Sequence, residues 1–185
     1  MAAAAPARDT VAVFGASWAT PESALYATSV ALGAALAAAG YDVVSGGYSG
    51  TMEGVSRGAA GAGAAATGVL VPSLFPARDA AGNAFLTARV DAPSLLARID
   101  VMLAAAPRRI IALPGTLGTL TEIYAAWNNA MLCPLRGAAP PRIVVWRTPW
   151  EGVLRGAGAA LGLPAETMGC VVFVDSVEEA VAALA

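Results

Sequence analysis

Short β-branched runs alternate with alanine-rich stretches along this chain, and that alternation constrains the fold more than any other feature. Strands are predicted over residues 10–14, 41–45, 67–71, 109–113, 142–147 and 171–174, with an extended piece near 85–90. Helices are predicted over residues 20–39, 51–60, 93–106 and 120–132, with a closing helix from residue 176. Strands that alternate with helices favour a parallel sheet covered on both faces. The sequence therefore predicts an α/β fold with a doubly wound, mostly parallel sheet.

The chain is predicted to form one domain. Its 185 residues suit a single α/β unit, and no linker, repeat or change of composition divides them. The first nine residues, MAAAAPARD, lack the apolar stretch of a signal peptide and are expected to be a loose tail before a domain over residues 10–185. The charge-free stretches 23–41 and 58–77 are interrupted by polar residues, glycine or proline, so no membrane span is predicted. We expect a cytoplasmic protein.

The amino-acid composition excludes several kinds of catalytic group and makes some binding partners unexpected. The chain has no histidine, and its 11 basic residues are all arginine, so imidazole bases and lysine Schiff bases are excluded. The net charge of −2 argues against a nucleic-acid or membrane-surface partner. Cys133 and Cys170 lie too far apart for a CxxC motif, so both are read as reduced thiols. We expect no metal and no cofactor.

Two glycine-rich turns are the strongest functional signal. They lie at residues 46–50 and 114–119, each after a predicted strand and before a predicted helix, where open α/β sheets bind ligands. Backbone N–H groups at a helix start favour an anion such as phosphate. The Walker pattern is excluded because lysine is absent, and the first strand is followed by Gly15-Ala16-Ser17 rather than GxGxxG. The alternative is that these glycines only form tight turns.

The residues of the two turns resemble a known family. The segment GGYSGTMEGVSRGA at residues 46–59 is similar to the GGGxxGxMxxVxxGA motif of the LONELY GUY (LOG) family, and PGTLGTLTE at residues 114–122 is similar to its PGGxGTxxE motif. Members of that family are nucleoside 5′-monophosphate phosphoribohydrolases that release free cytokinins. The resemblance covers most of residues 10–160 and implies a Rossmann-like fold and a homodimer.

The resemblance also implies site residues. Its catalytic glutamate corresponds to Glu122, and its catalytic arginine corresponds to Arg98 in LLARIDVM at residues 95–102. The sequence departs from the family pattern at Thr116, which replaces a glycine, and at Ile99, which replaces a lysine. The residues expected to bind substrate are Ser17, Gly46, Gly47, Gly50, Thr51, Gly115, Thr116, Leu117, Gly118 and Thr119.

Cleavage of an N-glycosidic bond passes through an oxocarbenium-like transition state, so a fixed carboxylate near the anomeric carbon stabilises the developing charge. Without histidine, an acidic residue such as Glu122 is the expected base. The predicted function is hydrolysis of AMP, or of an N6-substituted AMP, to free base and ribose 5-phosphate. The alternative is a non-catalytic nucleotide or molybdenum-cofactor carrier of the same fold. The family resemblance and the apolar segment 127–135 together predict that the Arg98 helix and this segment form a dimer interface.

Overall fold

The computed structural model describes residues 8–75 and 81–185. The strands are β1 (Asp9–Phe14), β2 (Tyr41–Ser45), β3 (Ala66–Leu70), β4 (Ala88–Asp91), β5 (Arg109–Ala112), β6 (Arg142–Trp146) and β7 (Val171–Val174). The helices are α1 (Ala24–Ala38), α2 (Thr51–Gly61), α3 (Leu95–Ala105), α4 (Leu117–Leu132), α5 (Arg147–Ala160) and α6 (Val177–Ala182). Two 3₁₀ turns, Pro134–Arg136 and Ala165–Cys170, follow α4 and α5.

The strands form one seven-stranded sheet in the order β4-β3-β2-β1-β5-β6-β7. Every neighbouring pair is parallel. The chain runs outward from β1 through β2 and β3 to β4, then returns to the other side of β1 with β5 and continues outward to β7. This confirms the predicted doubly wound α/β fold and places a topological switch point between β1 and β5.

Apart from the exposed edge strand β4, the sheet is buried on both faces, which explains its nearly continuous apolar strands. Along β1, Val11 and Val13 face one core with α1, α2 and α6, whereas Ala12 and Phe14 face the other core with α3, α4 and α5. On α3, Ile99 and Met102 face the second of these cores, whereas Leu95 is 45% exposed.

Several predicted boundaries were wrong for local reasons. Helix α1 begins at Ala24 rather than at residue 20, because Ser23 caps it: the Ser23 hydroxyl accepts from the Tyr26 amide at 3.2 Å and donates to the Thr20 carbonyl at 2.7 Å. Helix α4 begins at Leu117, so the second glycine turn is three residues shorter than predicted. Helix α5 was not predicted, since glycines and Pro149 conceal its apolar pattern.

The predicted tail, and the connection between the strand predicted over residues 67–71 and the extended piece near 85–90, lie partly outside the described residues, which exclude 1–7 and 76–80. Residues 8 and 9 belong to the described fold, contrary to the predicted tail boundary. Asp9 opens β1 and accepts from the Arg109 guanidinium at 2.7 Å, and Arg8 lies 3.6 Å from the carboxylate of Asp42.

Candidate functional site

Both glycine turns lie at the carboxyl edge of the sheet, on either side of the turn that follows β1. The first turn (residues 46–50) follows β2, and the second turn (residues 114–116) follows β5. Because β1 lies between β2 and β5 and all three strands are parallel, the two turns flank the switch-point crevice where such sheets bind ligands.

The first glycine turn packs tightly against the turn after β1. Gly47 and Gly50 have φ angles of +73° and +75°, which residues with a Cβ rarely adopt. A Cβ on Gly50 would lie 2.2 Å from the Ala16 carbonyl oxygen, and the Thr51 amide donates to that same oxygen at 2.8 Å. Both glycines are therefore required by the backbone, whether or not a ligand binds.

The second glycine turn leads into a helix start that remains open. No side chain caps α4 at Thr116, and Thr116, Leu117 and Gly118 are exposed. A Cβ on Gly115 would lie 2.1 Å from the Thr119 hydroxyl, which donates to the Gly15 carbonyl at 3.0 Å. Thr119 therefore fastens α4 to the turn after β1, while the first N–H groups of the helix face no capping side chain.

Arg98 is buried between the two turns, with 9% of the residue exposed. Its Nε donates to the Val69 carbonyl at 2.8 Å, and its Nη2 lies 3.6 Å from the Met52 sulfur. Its guanidinium carbon lies 5.6 Å from the centre of the Tyr48 ring. A Cβ on Gly46 would lie 1.5 Å from Nη2, so only glycine leaves room for this side chain. Burial lowers the pKa of Arg98, against the opposing effect of Glu122.

Glu122 faces Arg98 from α4. The Glu122 Oε1 lies 3.8 Å from the Arg98 Nη1, and the residue is 8% exposed. No residue in the described ranges 8–75 and 81–185 forms a hydrogen bond with this carboxylate. Burial raises the pKa of Glu122 to about 7, while the positive charge of Arg98 acts in the opposite direction. A buried carboxylate that titrates near neutrality is typical of functional sites.

The remaining predicted binding residues contribute unequally. Ser17 lies beside the first turn, where its carbonyl accepts from the Ser49 hydroxyl at 3.2 Å. The Thr51 hydroxyl is buried and donates to the Ala16 carbonyl at 3.2 Å, so it has a structural role.

Two residues at the site were missed by the sequence analysis. The Tyr48 hydroxyl accepts from the Val71 amide at 2.8 Å, which holds the ring beside Arg98. The sequence did contain a signal for Tyr48, because this residue replaces the third glycine of the GGGxxG part of the family motif. The Asn83 side-chain amide donates to the carbonyls of Gly47 and Tyr48, each at 3.2 Å, and no sequence pattern indicated this contact.

The tryptophans differ in position. Trp127 and Trp150 are buried in the core, and each indole N–H donates to a backbone carbonyl. Trp18 is 58% exposed in the turn after β1, beside Ser17.

The sequence matches the SLOG cluster4 family over residues 8–138, a span that contains both glycine turns, Arg98 and Glu122. The chain belongs to the SLOG cluster4 family. This confirms the LOG-like membership predicted from the two motifs. Among curated proteins, none matches the sequence.

Solved structures similar to this SLOG cluster4 protein share its fold over nearly the whole chain. The X-ray structure of TM1055, a structural genomics target, is 26% identical over 94% of this chain and 96% of that chain, with a TM-score of 0.72. A molybdenum cofactor binding protein from the phototrophic bacterium Rippkaea orientalis is 21% identical over 94% and 93%, with a TM-score of 0.68. The molybdenum cofactor carrier protein of Chlamydomonas reinhardtii is 20% identical over 96% of both chains, with a TM-score of 0.69.

Two further features of this SLOG cluster4 protein concern membranes and metals. In the described part of the chain, no helix is long and apolar enough to cross a membrane. Within the same residues, no group of three or more His, Cys, Asp or Glu side chains is placed to hold a metal ion.

Proposed function

We propose that this SLOG cluster4 protein hydrolyses the N-glycosidic bond of a purine nucleoside 5′-monophosphate, AMP or an N6-substituted AMP. The observation that carries the proposal is Glu122, a buried carboxylate without a hydrogen bond to any described residue, 3.8 Å from Arg98 at the ligand-binding edge of the sheet. Burial disfavours the charged form of this carboxylate, so its presence at this edge of the sheet supports a role with a ligand.

The start of α4 is the proposed phosphate site. The uncapped N–H groups from Leu117 onward and the helix dipole both favour an anion. Glu122 lies on the same helix, one and a half turns further along, within the length of a nucleotide from that start. The exposed indole of Trp18 offers a surface on which a purine can stack.

The proposed reaction needs one water and no other reactant. The bond between the anomeric carbon and the base nitrogen breaks, and the electron pair leaves with the base. A bond from water oxygen to the anomeric carbon forms, and the water proton passes through Glu122 to the base. As a carboxylate, Glu122 also stabilises the positive charge on the ribose in the transition state. A pKa of about 7 suits a group that accepts and returns a proton near neutral pH.

A carrier that binds a nucleotide or the molybdenum cofactor without cleaving it is the second candidate. Two observations favour it: Thr116 occupies a glycine position of the LOG motif, and two of the similar structures are molybdenum cofactor proteins. A carrier has no need for an ionisable carboxylate in the buried position of Glu122, and for this reason we place the hydrolase first.

Incubation of the protein with AMP, followed by chromatography of the products, tests the proposal. The hydrolase releases adenine and ribose 5-phosphate in equal amounts, and it releases far less adenine from adenosine, which lacks the phosphate. Saturable binding of AMP without adenine release contradicts the hydrolase and supports the carrier.

We further propose that the protein is a homodimer joined through α3 and α4. Leu96, Leu117 and Leu135 are each more than 70% exposed, and a groove of about 470 Å³ lies between the two helices. Arg98 and Glu122 lie on the buried sides of these same helices, so a second copy would cover the site's outer wall.

A further inference from the structure

A second pocket lies at the amino edge of the sheet, opposite the glycine turns. It has a volume of about 890 Å³, which falls within the range of small-molecule sites. Arg109 and Arg142, the first residues of β5 and β6, both line it. The length of β5 separates this pocket from the second glycine turn, about 13 Å for four residues.

The lining of this pocket, termed the arginine pocket below, is strongly cationic. Four of the 11 arginines of the chain contribute to it: Arg108, Arg109, Arg136 and Arg142. Among the lining residues that the structure describes, no aspartate or glutamate side chain occurs. This concentration of positive charge stands out in a protein whose net charge is −2.

The four arginines differ in how far their charge is already matched. Arg109 donates to Asp9 at 2.7 Å and to the Leu184 carbonyl at 3.0 Å, so its charge is paired. The Arg136 guanidinium donates to the neutral Asn129 side chain at 3.4 Å and pairs with no carboxylate in the described part of the chain. Within residues 8–75 and 81–185, the guanidinium groups of Arg108 and Arg142 have no hydrogen-bond or ion-pair partner.

Strand register also brings like charges together. Arg109 and Arg142 are aligned partners in the parallel β5–β6 pair, and the Arg142 amide donates to the Arg108 carbonyl at 2.8 Å. Aligned residues on neighbouring parallel strands are about 4.8 Å apart and project to the same side of the sheet. Asp9 already pairs with Arg109, so Arg142 is the member of this aligned pair whose charge a bound anion would match.

We propose that the arginine pocket binds a small polyanion, a molecule that carries two or more phosphate or carboxylate groups. Arg108 and Arg142 supply the unmatched charges, and guanidinium groups bind both kinds of anion through paired N–H donors. Because the pocket lies at the opposite edge from Glu122, this inference is independent of the proposed hydrolase activity.

Calorimetric titration at low salt tests the proposal, with inorganic pyrophosphate for the phosphate class and citrate for the carboxylate class. We expect saturable binding of at least one. Arg108→Gln and Arg142→Gln should each weaken it by about tenfold, and the double variant should weaken it further. The matched control is Arg155→Gln, which removes an exposed arginine of α5 and should change the affinity less than about twofold. Pyrophosphate that binds at the glycine turns contributes equally in every variant, because none of these substitutions changes those turns. Differences between the variants therefore report on the arginine pocket.

The competing explanation is that these arginines only neutralise the carbonyl ends of α3 and α4, which terminate at this edge. In that case Arg108→Gln and Arg142→Gln lower the thermal stability but leave pyrophosphate and citrate binding unchanged. Unchanged binding in the double variant, or no saturable binding of either anion to the wild-type protein, overturns the proposal.

Discussion

At the scale of single residues, the site depends on the ion pair between Arg98 and Glu122, whose nearest charged atoms are 3.8 Å apart. Arg98 is held from three sides by the Val69 carbonyl, the Tyr48 ring and the backbone at Gly46. Glu122 has no such support, because its nearest charged partner is 3.8 Å away and burial raises its pKa to about 7. The arginine is therefore a fixed positive charge, and the glutamate is the group that can change its protonation state near neutral pH.

This asymmetry predicts how stability depends on pH. The native state holds the Glu122 proton more tightly than the unfolded chain does, since the pKa rises from 4.5 to about 7 on folding. The free energy of unfolding should therefore fall as pH rises from about 4.5 to about 7, by on the order of 3 kcal/mol, and level off above that range. Urea unfolding at several pH values measures this change in the free energy of unfolding.

Glu122→Gln is the control for that measurement. The chain has no histidine to titrate in the same range, so the variant should lose most of the pH dependence. An identical decline in the variant and the wild-type protein would show that another group causes it.

Gly46→Ala tests the placement of Arg98. The added Cβ would lie 1.5 Å from Nη2, so the guanidinium must move. We expect a loss of about 1–3 kcal/mol in unfolding free energy and about tenfold weaker AMP binding, measured by denaturation and calorimetry. The control Gly152→Ala adds a Cβ in open space on α5 and should leave AMP binding unchanged. Wild-type AMP affinity in Gly46→Ala would contradict the expectation that AMP binding depends on the position of the Arg98 guanidinium.

At the scale of elements, local signals predicted most strands and helices, and tertiary contacts explain the errors. The strands over residues 41–45 and 171–174 were predicted to the residue because β-branched runs end at turn residues. Helix α5 was missed because Thr148 is non-helical and the helix contains three glycines. The motifs predicted Arg98 and Glu122, but the contacts of Arg98 with Val69 and Tyr48 join distant segments and have no local pattern.

The helix that follows the first glycine turn packs backbone to backbone against α1. A Cβ on Gly58 would lie 2.0 Å from the Val30 carbonyl oxygen, and one on Gly33 would lie 2.2 Å from the Val55 carbonyl oxygen. These two glycines therefore set how closely α1 and α2 approach each other. Because α2 follows the first glycine turn directly, they also set the position of that turn.

Gly58→Ala should accordingly destabilise the protein by about 1–3 kcal/mol or more, because neither backbone can move aside cheaply. Gly61→Ala is the control on the same helix, where a Cβ meets nothing within 4 Å. Urea unfolding compares the two variants, and equal stabilities would refute the close packing of α1 and α2.

At the scale of the whole molecule, the fold separates two regions of different chemistry. The carboxyl edge holds the glycine turns with Arg98 and Glu122, and the amino edge holds the arginine pocket. The outer surfaces of α3 and α4 also carry exposed leucines.

Those leucines predict the behaviour of the protein in solution. If α3 and α4 form the dimer interface, light scattering at micromolar concentration should give twice the chain mass, and Leu96→Asp should give the monomer, because it places a charge in an apolar contact. Leu161→Asp is the control, since Leu161 is 73% exposed just beyond α5. A monomeric wild-type protein, or an unchanged dimer in Leu96→Asp, would contradict this interface.

The most direct test of the proposed function is the rate of adenine release at saturating AMP by the wild-type protein and by Glu122→Gln. The substitution keeps the size of the side chain but removes the anion and the proton acceptor. Adenine release should fall by about 10²–10⁴-fold, while AMP affinity changes far less because the charge on the ribose develops only in the transition state. Glu166→Gln, at an exposed position, should retain the wild-type rate. Equal rates in Glu122→Gln and the wild-type protein would contradict the mechanism.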